Sequence, residues 1–127
     1  MEIYFPGGKK VHARHGNLVI QTDQPVAAGG EGSAPSPFDL FLASMATCAG
    51  FYVLDFISQR GIPHENVGLE ARFTRDSATR MISGVDIDIK LPPDFPEKYK
   101  NAVIKAAELC TVVKHLKSPP QVTVRAA

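Results

Sequence analysis

An α+β fold, with mainly antiparallel sheet and two principal helices, follows from three features of this 127-residue chain. Two neighbouring stretches, Val67 to Phe73 and Met81 to Leu91, alternate apolar and polar residues as half-buried strands do. Two other stretches carry helical spacing, one opened by Ser36-Pro37 and one by Pro96. The resulting order, βββ-α-ββ-α-β, lacks the regular strand–helix alternation that marks a parallel α/β sheet.

Each element has its own signal. Glu2 to Phe5, Lys10 to Arg14 and Asn17 to Thr22 read as short strands, with His15-Gly16 as the turn between the last two. Residues 23–35, "DQPVAAGGEGSAP", hold two prolines and three glycines and read as a mobile loop. Ser36 is a good N-cap, Pro37 suits the first helical position, and Asp39 completes a capping-box pattern. From Phe38 to Ile57 apolar residues fall on nearly every face, which predicts a central, buried helix. Gly61 and Pro63 stop it.

After that helix, Val67, Leu69, Ala71 and Phe73 face one way and Glu70 and Arg72 the other. "DSATR" turns the chain into Val85, Ile87, Ile89 and Leu91, set against Asp86, Asp88 and Lys90. The two stretches are expected to pair antiparallel, with the polar face in solvent. Tyr99, Val103, Ala106, Cys110 and Val113 then line one face of a second helix ending before Ser118-Pro119-Pro120. Gln121 to Arg125 reads as a last short strand. The length fits one domain, residues 1–127.

Composition removes several functions. The net charge is +1, with Lys and Arg scattered, so nucleic acid and anionic membrane are not expected partners. The most apolar run, Leu40 to Leu54, falls short of the roughly 20 residues that span a bilayer. No leader is evident at "MEIYFPGGKK", and with two cysteines this points to a reducing, cytoplasmic setting. There is no CxxC or HExxH spacing for a metal and no G-x-S-x-G for a hydrolase. "GGEG" at Gly29 to Gly32 lacks the Gly-Lys-Ser/Thr of a phosphate loop.

The two thiols remain. Cys48 and Cys110 each sit on the apolar face of one of the two helices, and helices sharing a small core must touch. Either both are small buried hydrophobes, or they form a peroxide-reducing pair. In the second case one thiolate becomes a sulfenic acid, the other condenses with it to a disulfide, and an external dithiol restores both. Cys48 lies too far along its helix for the N-terminal dipole to lower its pKa, so a cation is needed. Lys9, Arg14 and the histidines, from the N-terminal strands, are the candidates. Asp55 could share a helix face with Cys48 or be a solvated charge near the helix end.

The stretches "GGEGSAPSPFDLFLASMATC" (Gly29 to Cys48) and "AAELCTVVKHL" (Ala106 to Leu116) resemble the OsmC/Ohr family of osmotically inducible and organic hydroperoxide resistance proteins. The resemblance implies an intertwined homodimer with active sites at the subunit interface. It also implies reduction of small, often organic hydroperoxides with no metal or organic cofactor, Cys48 being the peroxidatic and Cys110 the resolving thiol. Three positions depart from the family's best-characterised branch. Phe38 stands where that branch has a Glu, Lys9 follows the Gly7-Gly8 pair where it has an Arg, and Thr111 stands where it has a Pro. The alternatives are a dimeric apolar-ligand-binding protein and a redox sensor, neither of them catalytic.

Overall fold

A computed structural model describes residues 1–127, which cluster into two compact units, Met1–Ala43 and Ser44–Ala127. The fold is α+β, with two antiparallel sheets and three helices.

The first unit carries strands β1 (Glu2–Gly7), β2 (Lys10–His15) and β3 (Leu18–Ile20), which pair antiparallel in that order. Ile3 faces Ala13 and Arg14 faces Val19. Gly16 makes the β2–β3 turn at φ 57°, in the left-handed region where glycine is free of a Cβ clash. β3 ends at Ile20, short of what its sequence suggests, yet Thr22 keeps the register opposite Val11. Its hydroxyl donates to the Val11 carbonyl, while its own carbonyl accepts Val11 N–H at 3.3 Å.

The loop that follows is tied down rather than free. Asp23 is buried, and its carboxylate accepts from Gln24 N–H (2.8 Å), Glu31 N–H (3.2 Å), Ser33 N–H (3.1 Å) and the Ser33 hydroxyl (2.7 Å). The Ser33 hydroxyl and N–H, with the Gln24 and Glu31 amides, outweigh burial and hold this carboxyl at about 2. Gly30 passes so close to the Gln24 carbonyl that a Cβ there would lie 1.9 Å from its oxygen. Only glycine fits.

Helix α1 (Pro37–Ser58) begins as its sequence predicts. The Ser36 hydroxyl accepts Asp39 N–H at 3.1 Å, and the Asp39 carboxylate accepts Ser36 N–H at 2.9 Å. Its burial differs from the expectation. Only Met45, Ala49, Val53 and Ile57 are buried, one per turn, while Phe38, Phe41, Phe51 and Leu54 are exposed. At 22 residues α1 spans the stretch its start and stop signals predict, and by length and composition alone it is long and apolar enough to cross a membrane. The sequence recorded apolar residues all round; one chain covers a single stripe of them.

In the second unit, β4 (Gly68–Arg75) pairs antiparallel with β5 (Ile82–Lys90), as their alternation predicts. Leu69 faces Ile89, Ala71 faces Ile87 and Phe73 faces Val85. Val53, Ile57, Phe95 and Val103 form the core, with Leu69, Ile89 and Tyr99 among the side chains packed on it. The second predicted helix is in fact two. A 3-10 turn at Glu97–Tyr99 leads into α2 (Lys100–Ala107), the chain breaks at 108–110, and α3 (Thr111–Lys117) follows. Cys110 therefore caps a new helix instead of lying within the old one. The predicted strand Gln121–Arg125 is also corrected. No strand of this chain pairs with it, and Val122 and Val124 are exposed.

Candidate active site

The second unit brings the two thiols together. Cys48 lies on α1, one turn after Met45 and one turn before Tyr52. Cys110 is buried, at 1% exposure, whereas Cys48 is partly exposed. Both are free thiols, and they share a hydrogen bond. The Cys110 sulfur lies 3.7 Å from the Met45 carbonyl and accepts Val113 N–H at 3.5 Å as the cap of α3.

The helix break makes this arrangement possible. The first N–H groups of a helix have no partner within it. Here Val113 N–H goes to the Cys110 sulfur, Lys114 N–H to the Cys110 carbonyl at 3.1 Å, and the N–H groups of Val112 and Thr111 go to Cys48. Tyr52 ties the same segment to α1, its hydroxyl 3.0 Å from Thr111 Oγ1. His115 Nδ1 lies 2.8 Å from the Thr111 carbonyl.

These contacts split the two thiols. Burial raises the Cys48 pKa, but Val112 N–H, the Cys110 side chain and Thr111 N–H outweigh it and hold the thiol below its ordinary value. Burial likewise raises Cys110, and the hydrogen bond to Cys48 and that sulfur's negative charge raise it further. The Val113 and Val112 amides do not reverse this. Cys48 is thus the more acidic thiol of the pair and Cys110 the less acidic.

Lys9 and Arg14 belong to the first unit. The Arg14 guanidinium pairs with Glu2 at 3.2 Å and lies 5.2 Å from the centre of the Tyr4 ring. Lys9 sits in the β1–β2 turn. Asp55 is a solvated helix charge that accepts from the Gln59 side chain at 2.8 Å. An open groove of about 1050 Å³ runs along the second unit, lined by Ala49, Ile87, Leu91, Ile104, Leu109 and Cys110 among others. Cys48 is not in its lining. Sequence reasoning missed Tyr52 and the donors of 111–112. Tyr52, one turn beyond Cys48, is the only one that helix spacing could have flagged.

The OsmC-like protein family model matches residues 30–125, and so takes in both cysteines. The chain belongs to the OsmC-like family. Lys9 and Arg14 fall outside the matched stretch. No curated protein sequence matches the chain. Among solved structures, the chain is similar to a provisionally named osmotic stress induced and detoxification response protein from Psychrobacter arcticus 273-4. The two share 27% identity at a TM-score of 0.74, over 89% of this chain and 84% of that one. It also has the fold of an organic hydroperoxide resistance protein OsmC from Legionella pneumophila, at 19% identity, TM-score 0.53, 91% and 86% coverage. A third likeness is to a provisionally named organic hydroperoxide resistance protein from Vibrio cholerae, with captopril bound in one active site. There the identity is 17%, the TM-score 0.55 and the coverage 92% and 83%.

Proposed function

We propose that this OsmC-like protein is a cysteine-based peroxidase that reduces organic hydroperoxides, with hydrogen peroxide as a further substrate, in a reducing cytoplasm. The observation that carries the reading is the split pair: Cys48 held below its ordinary pKa and Cys110 above it, in one hydrogen bond. The Cys48 thiolate attacks the outer peroxide oxygen. The O–O bond breaks, the alkoxide leaves and takes a proton, and Cys48 becomes a sulfenic acid. The Cys110 sulfur then attacks the Cys48 sulfur, hydroxide leaves as water, and a disulfide forms. An external dithiol reduces it, becoming a disulfide itself. Lys9 is the proposed cation of the site, since Arg14 is already engaged by Glu2 and Tyr4.

A homodimer belongs to the same proposal. The chain exposes 9374 Å², against roughly 6,600 Å² for a folded monomer of its mass. A two-stranded sheet is marginal alone, the 121–125 segment has no strand to pair with, and α1 shows Phe51 and Leu54 to solvent. A second copy would supply what these elements lack. Sedimentation showing a stable monomer at micromolar concentration would reject it.

The test of the chemistry is thiol counting. Titration with cumene hydroperoxide should remove both thiols of each chain, and Cys48→Ser should remove none. Cys110→Ser should consume one equivalent and stop at sulfenic acid or a higher oxide. The groove beside Cys110 supports a second reading, binding of an apolar ligand. Thiols indifferent to hydroperoxide would favour that reading, and stoichiometric oxidation with no turnover by any dithiol would favour a redox sensor.

A further inference from the structure

Within the second unit, two side-chain contacts lock the Cys110–Val113 segment to α1. One is the Cys110 sulfur against the Met45 carbonyl. The other is the Tyr52 hydroxyl against Thr111 Oγ1 at 3.0 Å. They lie one turn before and one turn after Cys48 on α1, so they hold the segment on both sides of the reactive sulfur. We propose that Tyr52 is a positioning residue: through Thr111 its hydroxyl keeps the 111–112 peptides over Cys48, so that backbone N–H groups meet negative charge on that sulfur. The inference rests on Cys48 being the reactive thiol of the proposed function, and deepens that reading.

The physical argument is one of geometry. An N–H group stabilises a thiolate only while it stays within hydrogen-bond reach and in line. The link 108–110 between α2 and α3 is not helical, and α3 has only seven residues, so the segment has little rigidity of its own. Cys110 cannot serve as the sole anchor, because the proposed cycle carries it into a disulfide. The Tyr52–Thr111 contact takes no part in that chemistry. Thr111 also supplies a donor that Pro at this position could not, since proline has no N–H.

The experiment reads Cys48 alone. The full chain is alkylated with iodoacetamide from pH 5 to 10, and modification of the Cys48 peptide is quantified by mass spectrometry. All variants keep His115, whose ring lies against the Thr111 carbonyl. Tyr52→Phe and Thr111→Val should each move the Cys48 profile to higher pH. The rate at neutral pH should fall about threefold, the change that a half-unit rise in pKa gives. The double variant should fall no further than either single one. Thr111→Ser, which keeps a hydroxyl and the N–H, should restore the profile. A profile unmoved in both Tyr52→Phe and Thr111→Val overturns the proposal, as do single effects that simply add. A merely structural role would lower the unfolding midpoint without moving the profile, and that also overturns it. Peroxide turnover is not the readout. A protein that fails the cumene hydroperoxide test but shows these shifts refutes the peroxidase reading and keeps this one.

Discussion

The two compact units are built on opposite physics. In Met1–Ala43 the only buried residues are Thr22 and Asp23, both polar. In Ser44–Ala127 all seven are Met45, Ala49, Val53, Ile57, Phe95, Val103 and Cys110. One unit is pinned around a carboxylate, the other condenses around aliphatic and aromatic groups. The difference locates the chemistry. A sulfur pair needs a dry, fixed environment in which backbone donors count, and the apolar unit supplies it. The polar unit leaves Ile3, Phe5, Leu18 and Val19 in solvent.

The contrast is broken or sharpened first by Ile57→Ala. Ile57 is 1% exposed and central to the core of the second unit. Its truncation leaves a cavity and should cost about 2–5 kcal/mol, read as a lower urea midpoint with unchanged slope. A loss as small as that of a surface substitution would mean that this core does not carry the unit.

Asp23→Ala probes the other unit. It removes the acceptor of three amides and one hydroxyl at once. Amide exchange at Gln24, Glu31 and Ser33 should accelerate sharply, while Val53 and Ile57 keep their protection. The pH dependence has a definite sign. The carboxyl sits at about 2 in the fold against an ordinary 3.8. Its contribution is therefore full above 3.8 and is lost as pH falls through 2. Protection of these amides, taken relative to the unfolded chain, that stays unchanged below pH 2 would break the picture of a carboxylate-pinned unit.

These two residues also mark what the sequence made legible. Ile57 declares itself through helical spacing, as the β4–β5 partners do through alternation, and Ser36 and Asp39 announce the helix start. Asp23 does not, because its partners lie up to ten residues on in a loop with no periodicity. The α2–α3 break was hidden for another reason. Val103, Ala106, Cys110 and Val113 keep helical spacing across it, so the pattern is the same for one long helix or two short ones. For the site, the thiol pair was readable from two cysteines on two apolar faces. The donors were not. Thr111 and Tyr52 meet across 59 residues of chain, and backbone N–H groups carry no residue code at all.

A smaller effect comes from Cys110, where chemistry and structure overlap. Its sulfur caps α3. Cys110→Ala removes that acceptor and should cost about 1 kcal/mol in thermal or urea unfolding. Cys110→Ser keeps an oxygen in the same role and should cost less. Both abolish the proposed disulfide equally. Equal destabilisation would show that the cap contributes nothing and that Cys110 serves the chemistry alone.

The smallest effect is expected on the outer face of β4 and β5. There Arg72 pairs with Asp88 at 2.6 Å and Lys90 with Glu70 at 2.9 Å, every partner about half exposed. The distances are those of good ion pairs, yet water screens such charges and fixing two long side chains costs entropy. Asp88→Asn should leave the urea midpoint within error of the parent, and molar sodium chloride should erase whatever difference remains. The polar face of this sheet then keeps the strands soluble and in register, while Leu69 and Ile89 on the other face hold them to the core. A loss comparable to that of Ile57→Ala would mean that the second unit, like the first, stands on charge, and that the division between the two is not one of physics.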